Sequence, residues 1–390
     1  MGAGSVKIPE RGITLKVAIV HYWFVAQRGG EKVVQELCDL FPAADIFTLV
    51  LDRDSLPPAL AGRKITTSFI NALPFAKRWY KNYLPLMPLA LEQFDLRDYD
   101  LVLSSESGPA KGVLTSPRTL HICYCHTPMR YVWDMYHEYM AMSGPVKRVL
   151  MAPLLHYLRL WDRLSADRVD CFVANSANVA WRIEKHYRRV AEIVHPPVDT
   201  DAFCIADEIG DFYLMAGQLV GYKRVDLVVR AFSRSGRHLI VIGDGEQMPL
   251  LRKIAGANVT LMGWQPEDVL RDKYARCRAL IFPGEEDFGI VPLEAMASGR
   301  PVIAYARGGA LETVIDGKTG IFFHEQTEDA ILNVVARFEG MESVFFPEEI
   351  RRHALKFGRE RFRNEIASIV ESRLKNFNIR AIPLYDGVVG

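Results

Sequence analysis

The chain has 390 residues, of which 49% are hydrophobic and 24% are charged, and its formal net charge is +1. This is ordinary globular composition, and it excludes a collagen, a long disordered tail and a coiled coil. The nearly neutral balance argues against a general nucleic-acid binder. The longest stretch without a charged side chain, 254–266, is well short of the roughly 20 residues that a transmembrane helix needs, so none is predicted.

Cysteine usage and the N-terminal residues predict a cytosolic protein. The opening sequence MGAGSVKIPERG contains no apolar signal region. Six cysteines in a chain of this length do not form a disulfide framework, and Cys123 and Cys125 lie two apart on one predicted strand. We therefore expect six reduced thiols.

Short apolar runs alternate with helical patterns along the chain. Buried strands separated by helices are typical of parallel, doubly wound sheets, and the strands are too many for one such sheet. The predicted strands are 16–23, 45–51, 100–105, 121–126, 170–175, 211–217, 238–244, 259–263, 279–284, 301–306 and 320–324, and the predicted helices include 31–41, 225–235, 266–277, 292–299 and two within 347–376.

A polar stretch with two prolines, 194–211, separates the two series of strands. We predict an N-terminal Rossmann-like domain (1–197), a second Rossmann-like domain (198–358), and a C-terminal helix and tail (359–390) that packs back on the first domain. The expected fold class is α/β, with a cleft between the carboxyl ends of both sheets. Ligands bind at these ends in open α/β sheets.

The stretch 283–305 carries the strongest chemical signal. A predicted strand ends at Gly284, and Glu286 and Glu294 bracket the following loop and first helical turn, with Pro292 expected to begin the helix. Backbone N–H groups at a helix start can hold an anion, and carboxylates suit ligand hydroxyls. A nucleotide-sugar offers both groups. The plainer alternative is that both glutamates are solvated carboxylates near a helix start.

The order of residues around this pair resembles the donor-site signature of retaining GT-B glycosyltransferases of family 4. The signature comprises E-x₇-E, then A-M-A-S-G-R-P, then Gly308, Gly309 and Glu312. The match runs from about residue 16 to residue 370. The strings RGGEKVV, YCHTPMRYVWD and YKRVD are most similar to a branch that builds bacterial exopolysaccharides and O-antigens, often as mannosyltransferases.

The resemblance implies a role for each matched residue. Catalysis would proceed by front-face displacement, in which the leaving diphosphate takes the proton of the incoming hydroxyl and the protein stabilises charge. Gln218 stands where many relatives have an arginine. The implied catalytic residues are Glu286, His126 and Lys223; the implied donor-binding residues are Gly29, Gly30, Gln218, Lys223, Arg224, Phe288, Gly289, Ile290, Val291 and Glu294; the acceptor candidates are Arg130, Asp134 and Glu106.

What the resemblance implies for function is transfer of a hexose, with mannose from GDP-mannose as the best guess, to a polyprenyl-diphosphate-linked glycan or oligosaccharide. The process would be bacterial surface polysaccharide synthesis, without a metal or other cofactor. One alternative is a UDP-sugar donor on the same fold. An alternative of another class is a non-catalytic sugar-nucleotide scaffold, which the loss of an arginine at Gln218 favours.

Three short strings suggest other functions. Gly243 and Gly245 follow a strand as in a dinucleotide fingerprint, but the third glycine is missing. The kinase-like string 287–289 lacks the catalytic loop and lysine strand of a kinase. The D-x-D strings at 52–54 and 98–100 would imply a Mn²⁺- or Mg²⁺-dependent enzyme of the GT-A type. We interpret both as loop carboxylates.

Two segments mix basic and aromatic residues, as amphipathic helices on anionic membranes do. Segment 67–94 contains Trp79 among Lys77, Arg78 and Lys81, and segment 144–164 repeats the mixture. We expect peripheral attachment to the inner face of the cytoplasmic membrane through 67–94 and, secondarily, 144–164. The alternative is that these apolar side chains pack internally.

Overall fold

The computed structural model describes residues 15–26, 29–141 and 143–381, which form two compact units. The first unit contains the described residues up to His195 together with those from Phe362 onward, and the second is Pro196–Arg361. The sequence-based limits at 197 and 358 lie near these divisions. Each unit has its own sheet and its own hydrophobic core.

The first unit is built on a parallel sheet with the order β3-β2-β1-β4-β5-β6-β7. All five strands predicted for this half are confirmed. Two edge strands were missed, because each has only three residues and neither forms an apolar run. The strands are β1 (Val17–His21), β2 (Asp45–Thr48), β3 (Ile65–Thr67), β4 (Leu101–Glu106), β5 (Leu120–Cys125), β6 (Cys171–Ala174) and β7 (Ala191–Ile193).

Helices cover both faces of this sheet, so its central strands are buried on both sides. The last of these helices begins after Ser176, whose hydroxyl accepts a 3.1 Å hydrogen bond from the Val179 amide. The helices are α1 (Gly29–Leu40), α2 (Ala76–Trp79), α3 (Met87–Glu92), α4 (Tyr136–Ala141), α5 (Pro145–Ala166) and α6 (Ala177–Tyr187).

The second unit has a parallel sheet with the order β10-β9-β8-β11-β12-β13, and all six of its strands were predicted. The strands are β8 (Tyr213–Ala216), β9 (Leu239–Ile242), β10 (Val259–Gly263), β11 (Leu280–Phe282), β12 (Val302–Tyr305) and β13 (Gly320–Phe323). The helices are α7 (Val225–Ser235), α8 (Met248–Ile254), α9 (Glu267–Arg276), α10 (Ile290–Ala297), α11 (Ala310–Thr313), α12 (Glu328–Glu339) and α13 (Pro347–Ala354).

The final helix, α14 (Arg359–Ala381), returns to the first unit. Phe362, Ile366 and Val370 are buried there in the same core as the inner side chains of β1 and β4. The C-terminal helix therefore forms part of the first hydrophobic core. Among the described residues, no helix has the length and apolar character needed to cross a bilayer.

The strand order reverses once in each sheet, between β1 and β4 and between β8 and β11. At such a point the connections leave neighbouring strands toward opposite faces, which opens a crevice outside the carboxyl ends of the two strands. His21 and Ser105 lie at the reversal of the first sheet, and Gly217 and Gly284 follow the strands at the reversal of the second.

Candidate functional site

At the reversal of the second sheet, Lys223 and Glu286 form an ion pair. Lys223 ends a short 3-10 turn after β8, and Glu286 lies on the loop after β11. Lys223 Nζ and Glu286 Oε1 are 2.8 Å apart, with 13% and 19% of the two side chains exposed. Partial burial strengthens the field of both charges while leaving them accessible to a ligand. The structure thus brings together the predicted basic residue and the predicted strand-end carboxylate.

Close backbone approach at two glycines fixes the geometry of this pair. A Cβ atom at Gly284 would lie 2.9 Å from Lys223 Cα, so a side chain there would separate the two loops. A Cβ atom at Gly309 would lie 2.2 Å from Phe288 Cα, and the Gly309 amide donates a 2.9 Å hydrogen bond to the Glu286 carbonyl. The glycines of the sequence signature therefore hold the Glu286 loop in place.

Arg224 adjoins this ion pair in a strained backbone conformation. Its φ of 51° lies in the left-handed region, which is uncommon outside glycine and is often stabilised at functional sites. Arg224 Nη1 lies 3.3 Å from Gln326 Oε1, and Gln326 Nε2 donates to the Pro283 carbonyl at 2.8 Å. Gln326 thus connects the guanidinium to the end of β11, and nothing in the sequence pattern indicated it. Gln218 is exposed.

The second glutamate of the signature is buried rather than solvated. Glu294 lies in α10, which begins at Ile290, two residues before the predicted Pro292, directly after Gly289 with its φ of 89°. Glu294 is only 8% exposed, and its Oε2 accepts a 3.1 Å hydrogen bond from the Tyr274 hydroxyl. Burial and this carboxylate raise the pKa of Tyr274 well above its ordinary range, so Tyr274 remains a donor. Sequence reasoning missed Tyr274.

The predicted residues 288–291 surround the start of this helix. Phe288 and Gly289 are buried, and Ile290 and Val291, which open the helix, are half-buried. Amide groups at such a start carry partial positive charge. The second unit thus places a lysine, an arginine and a helix start at one end of its sheet.

In the first unit, His126 follows β5 and is half-buried. Its Nε2 lies 2.9 Å from Ser105 Oγ at the end of β4. Burial, with the neighbouring His21, lowers the pKa of His126 to about 3, so the ring is neutral at physiological pH. Sequence reasoning did not identify Ser105.

Gly29 and Gly30 form the first turn of α1, which begins two residues before the predicted 31–41, and their role in donor binding stays a prediction. A Cβ atom at Gly30 would lie 2.6 Å from the Tyr22 hydroxyl, so a side chain there would displace the Tyr22 ring. Gln27 and Arg28, which precede the pair, lie outside the described residues.

Of the acceptor candidates, Asp134 contacts two basic side chains, with Oδ1 3.1 Å from His186 Nε2 and Oδ2 3.7 Å from Arg182 Nε. Arg130 is half-buried. Acceptor binding by Arg130 and Asp134 stays a prediction.

The prediction for Glu106 is wrong. Its side chain is wholly buried, and its Oε1 lies 3.4 Å from Nζ of Lys111, which also contacts Asp162. Desolvation by burial raises the pKa of Glu106 to about 7. A carboxylate enclosed in this way cannot contact an acceptor, so Glu106 belongs to a buried ion cluster instead.

Comparison with known families decides what kind of protein carries these features. Residues 27–202 match the family model for Glycosyltransferase Family 4, and residues 206–360 match the model for Glycosyl transferases group 1. The chain belongs to the group 1/family 4 glycosyltransferases. The resemblance inferred from the sequence is confirmed for the family, and the mannosyltransferase branch stays a prediction.

Relatives of this family member have differing specificities. The chain is 26% identical over 321 residues to the alpha-1,3/1,6-mannosyltransferase alg2 of Schizosaccharomyces pombe. This alignment covers 68% of this chain and 58% of the relative. The chain is 33% identical over 144 residues to the lipopolysaccharide 1,2-N-acetylglucosaminetransferase of Salmonella typhimurium, an alignment that covers 32% and 38%. The matches thus span less than two thirds of either curated relative.

A solved structure shares the GT-B fold of two Rossmann-like domains. Anabaena HepE in complex with UDP and glucose matches with a TM-score of 0.67 and 14% sequence identity, covering 92% of this chain and 100% of that chain. At this identity the similarity shows the fold alone.

Proposed function

We propose that the protein is a retaining glycosyltransferase that moves a hexose from a nucleotide-sugar to a glycan acceptor. The observation that carries the proposal is the Lys223–Glu286 pair at the strand reversal of the second sheet. A cation suits the diphosphate of such a donor, and a carboxylate beside it suits sugar hydroxyls. Family membership supports the same conclusion.

In the proposed mechanism the protein stabilises the charge that develops on the leaving diphosphate. Lys223, Arg224 and the amide groups at the start of α10 supply positive charge, and the amides at Gly29 and Gly30 are assigned to the distal phosphate. The departing diphosphate oxygen takes the proton of the acceptor hydroxyl as the new glycosidic bond forms. This sequence of events needs no enzymatic nucleophile.

The remaining assigned residues orient the donor. We assign Glu286 and His126 to the hexose and Glu294 to the ribose. The Tyr274 hydroxyl holds one oxygen of Glu294, so this carboxylate has a fixed orientation before any ligand binds. Fixed groups lose little entropy on binding.

GDP-mannose is the donor that we propose, supported by the mannosyltransferase relative. The UDP complex of HepE favours a UDP-sugar as the second candidate. A thermal-shift panel of GDP, UDP and ADP separates these donors, because a nucleotide that binds the folded state raises the melting temperature.

A non-catalytic scaffold is the candidate of another class, since the exposed Gln218 offers no positive charge to a diphosphate. Slow release of free sugar from one nucleotide-sugar would establish catalysis. A protein that binds the nucleotide tightly but releases no sugar and transfers none would be a scaffold.

We predict that Glu286→Gln retains nucleotide affinity but loses most of its turnover. The substitution removes a charged hydrogen-bond partner of the hexose, which should raise the transition-state barrier by roughly 2–4 kcal/mol. The measurement is kcat/KM for sugar transfer together with Kd for the nucleoside diphosphate.

Glu285→Gln is the matched control, because it removes the same charge from the adjacent position of the loop, and it should keep most of the activity. Wild-type turnover in Glu286→Gln would show that the hexose is not held by this carboxylate.

We also predict that transfer survives removal of divalent metal. Lys223, Arg224 and the helix-start amides supply the positive charge that a metal provides in other glycosyltransferases. Asp52, the first residue of the earlier D-x-D string, is instead paired with Lys77 at 2.9 Å. The measurement is donor transfer after dialysis against EDTA. Loss of transfer that Mn²⁺ restores would favour a metal site at Asp52 and Asp54.

We propose that the acceptor is a polyprenyl-diphosphate-linked glycan at the inner face of the cytoplasmic membrane, reached by peripheral attachment to anionic lipid. The exposed apolar side chains of α5 support this, because they follow one another at helical spacing beside Lys147 and Arg148. They are Val146, Val149, Leu150, Tyr157, Leu160 and Leu164, of which the first three are 75%, 73% and 69% exposed.

Segment 67–94 is partly buried and partly exposed. It forms α2 and α3 joined by a 3-10 helix rather than one amphipathic helix. Tyr80 and Met87 pack in the core, whereas Phe75 and Trp79 are 65% and 47% exposed. Internal packing thus accounts for part of the segment and leaves three aromatic side chains, Phe69, Phe75 and Trp79, exposed.

We predict that Arg78→Glu/Lys81→Glu releases the protein from anionic vesicles. Lys77 is left unchanged because its partner is Asp52. Each basic residue contributes on the order of 1 kcal/mol near an anionic surface, so partitioning should fall roughly 30-fold or more. Co-sedimentation with vesicles measures it, and Trp79 emission should shift to the blue only with lipid.

Lys318→Glu/Lys356→Glu, which makes the same charge change on exposed residues of the second unit, should bind vesicles like the wild type. Equal sedimentation of both double variants with anionic vesicles would contradict membrane docking through this segment.

A further inference from the structure

A chain of four neighbouring polar side chains runs through the first unit from the start of α1 to the residue after β5. His21 Nε2 lies 3.8 Å from Glu31 Oε1, which is beyond hydrogen-bond distance, and His21 Nδ1 lies 3.2 Å from Ser105 Oγ. Ser105 Oγ in turn lies 2.9 Å from His126 Nε2. The chain therefore connects the helix that Gly29 and Gly30 open to the histidine assigned to the donor sugar.

The sheet register produces this chain. His21 and Ser105 are direct partners in the pairing of β1 with β4, so their side chains project from the same face at the strand reversal. Both are fully buried, and Glu31 is 2% exposed. A Cβ atom at Gly30 would lie 3.4 Å from His21 Cε1, so the helix start packs directly on the imidazole. Because these side chains are buried from water, their protein neighbours determine which nitrogen of His21 carries the proton.

The charge of the carboxylate at one end favours one direction for the two hydrogen bonds of the chain. An ionised carboxylate attracts an N–H group even beyond hydrogen-bond distance, which favours the proton of His21 on Nε2, the nitrogen that faces Glu31 at 3.8 Å. His21 Nδ1 then accepts the Ser105 hydroxyl hydrogen. Because Ser105 has no second hydrogen, its Oγ accepts from Nε2–H of His126. The opposite arrangement would place the lone pair of His21 Nε2 against the carboxylate in a buried site, which is electrostatically unfavourable.

We propose that Glu31, His21 and Ser105 are positioning residues that hold His126 in the Nε2–H tautomer, so that its Nδ1 accepts a hydrogen bond from a ligand hydroxyl. Among the described residues, Nδ1 of His126 has no hydrogen-bond partner, and the ring keeps part of its surface exposed. A hydroxyl can donate to this nitrogen, whereas a phosphate or carboxylate oxygen cannot. The site therefore favours a hydrogen-bond donor such as a sugar hydroxyl over a phosphate oxygen, an inference that deepens the proposed function and rests on it.

The tautomers can be measured directly by NMR, without a bound nucleotide-sugar. Protein labelled with ¹⁵N-histidine is studied at pH 8, above the ordinary pKa of histidine, by two-bond ¹H–¹⁵N correlation. We expect His126 and His21 to show the Nε2–H pattern. A wild-type His126 protonated on Nδ1, or an imidazolium at His21, would overturn the proposal.

Ser105→Ala should release His126 into a mixture of tautomers. Ser104→Ala is the matched control, because Ser104 Oγ makes an equivalent 2.9 Å contact with His121 Nε2 and is equally buried, but it lies on the other face of the same strand. The control should leave the His126 signals unchanged. Glu31→Gln is a second, isosteric variant. Its amide can also donate, so the tautomers of both His21 and His126 should become mixed.

A kinetic comparison then tests the ligand part of the proposal. Ser105→Ala should lower kcat/KM for the nucleotide-sugar about 10-fold relative to Ser104→Ala, without changing affinity for the free nucleoside diphosphate. Equal kcat/KM in the two variants would overturn the proposal that His126 accepts a hydrogen bond from a hydroxyl of the donor sugar. A wild type that transfers no sugar would count against the proposed function instead, since the spectrum reports the tautomers independently.

Discussion

The reversal of strand order between β8 and β11 is the constraint on which the rest of the candidate site depends. Because both strands are parallel and central, their carboxyl ends lie side by side while the following loops leave in opposite directions. Lys223 follows one strand and Glu286 follows the other, which is why residues far apart in sequence form an ion pair. Gly284 and Gly309 allow the loops to approach closely enough for this contact.

The first sheet has the same reversal of strand order, but different side chains lie at the strand ends. At the ends of β1 and β4 it places the contacting side chains of His21 and Ser105 rather than a lysine and a glutamate. The charged residues nearby, Glu106 and Lys111, face inward and are wholly buried. Removing one member of such a cluster leaves an uncompensated buried charge and costs about 3–5 kcal/mol. The two strand reversals therefore differ in chemistry: the second sheet carries a lysine and a glutamate, and the first carries a histidine and a serine.

Sequence reasoning succeeded where a feature is local. The central strands are continuous apolar runs, so they could be predicted. Glu286 and Lys223 belong to short strings that follow strands, so their positions after the strand ends could be predicted too, while their roles stay predictions. The short edge strands β3 and β7 lack such runs and were missed.

Residues whose roles depend on distant partners could not be predicted. Tyr274 and Gln326 have no spacing relation to the residues that they hold, and the Ser105–His126 contact arises from sheet pairing. Glu106 was misassigned because a polar residue at a strand end resembles a site residue until its buried partners are known. Lys111 is near in sequence, but Asp162 comes from the distant helix α5.

The central claim is that Lys223 binds the diphosphate of the donor, and calorimetric titration of the preferred nucleoside diphosphate and its parent nucleoside tests it most directly. Lys223→Met should weaken binding of the diphosphate about 10-fold or more, as expected for loss of a hydrogen bond to a charged group, and leave binding of the nucleoside unchanged. Lys318→Met, at an exposed position of the same unit, should bind both ligands like the wild type. Wild-type affinity of Lys223→Met for the diphosphate would contradict the account.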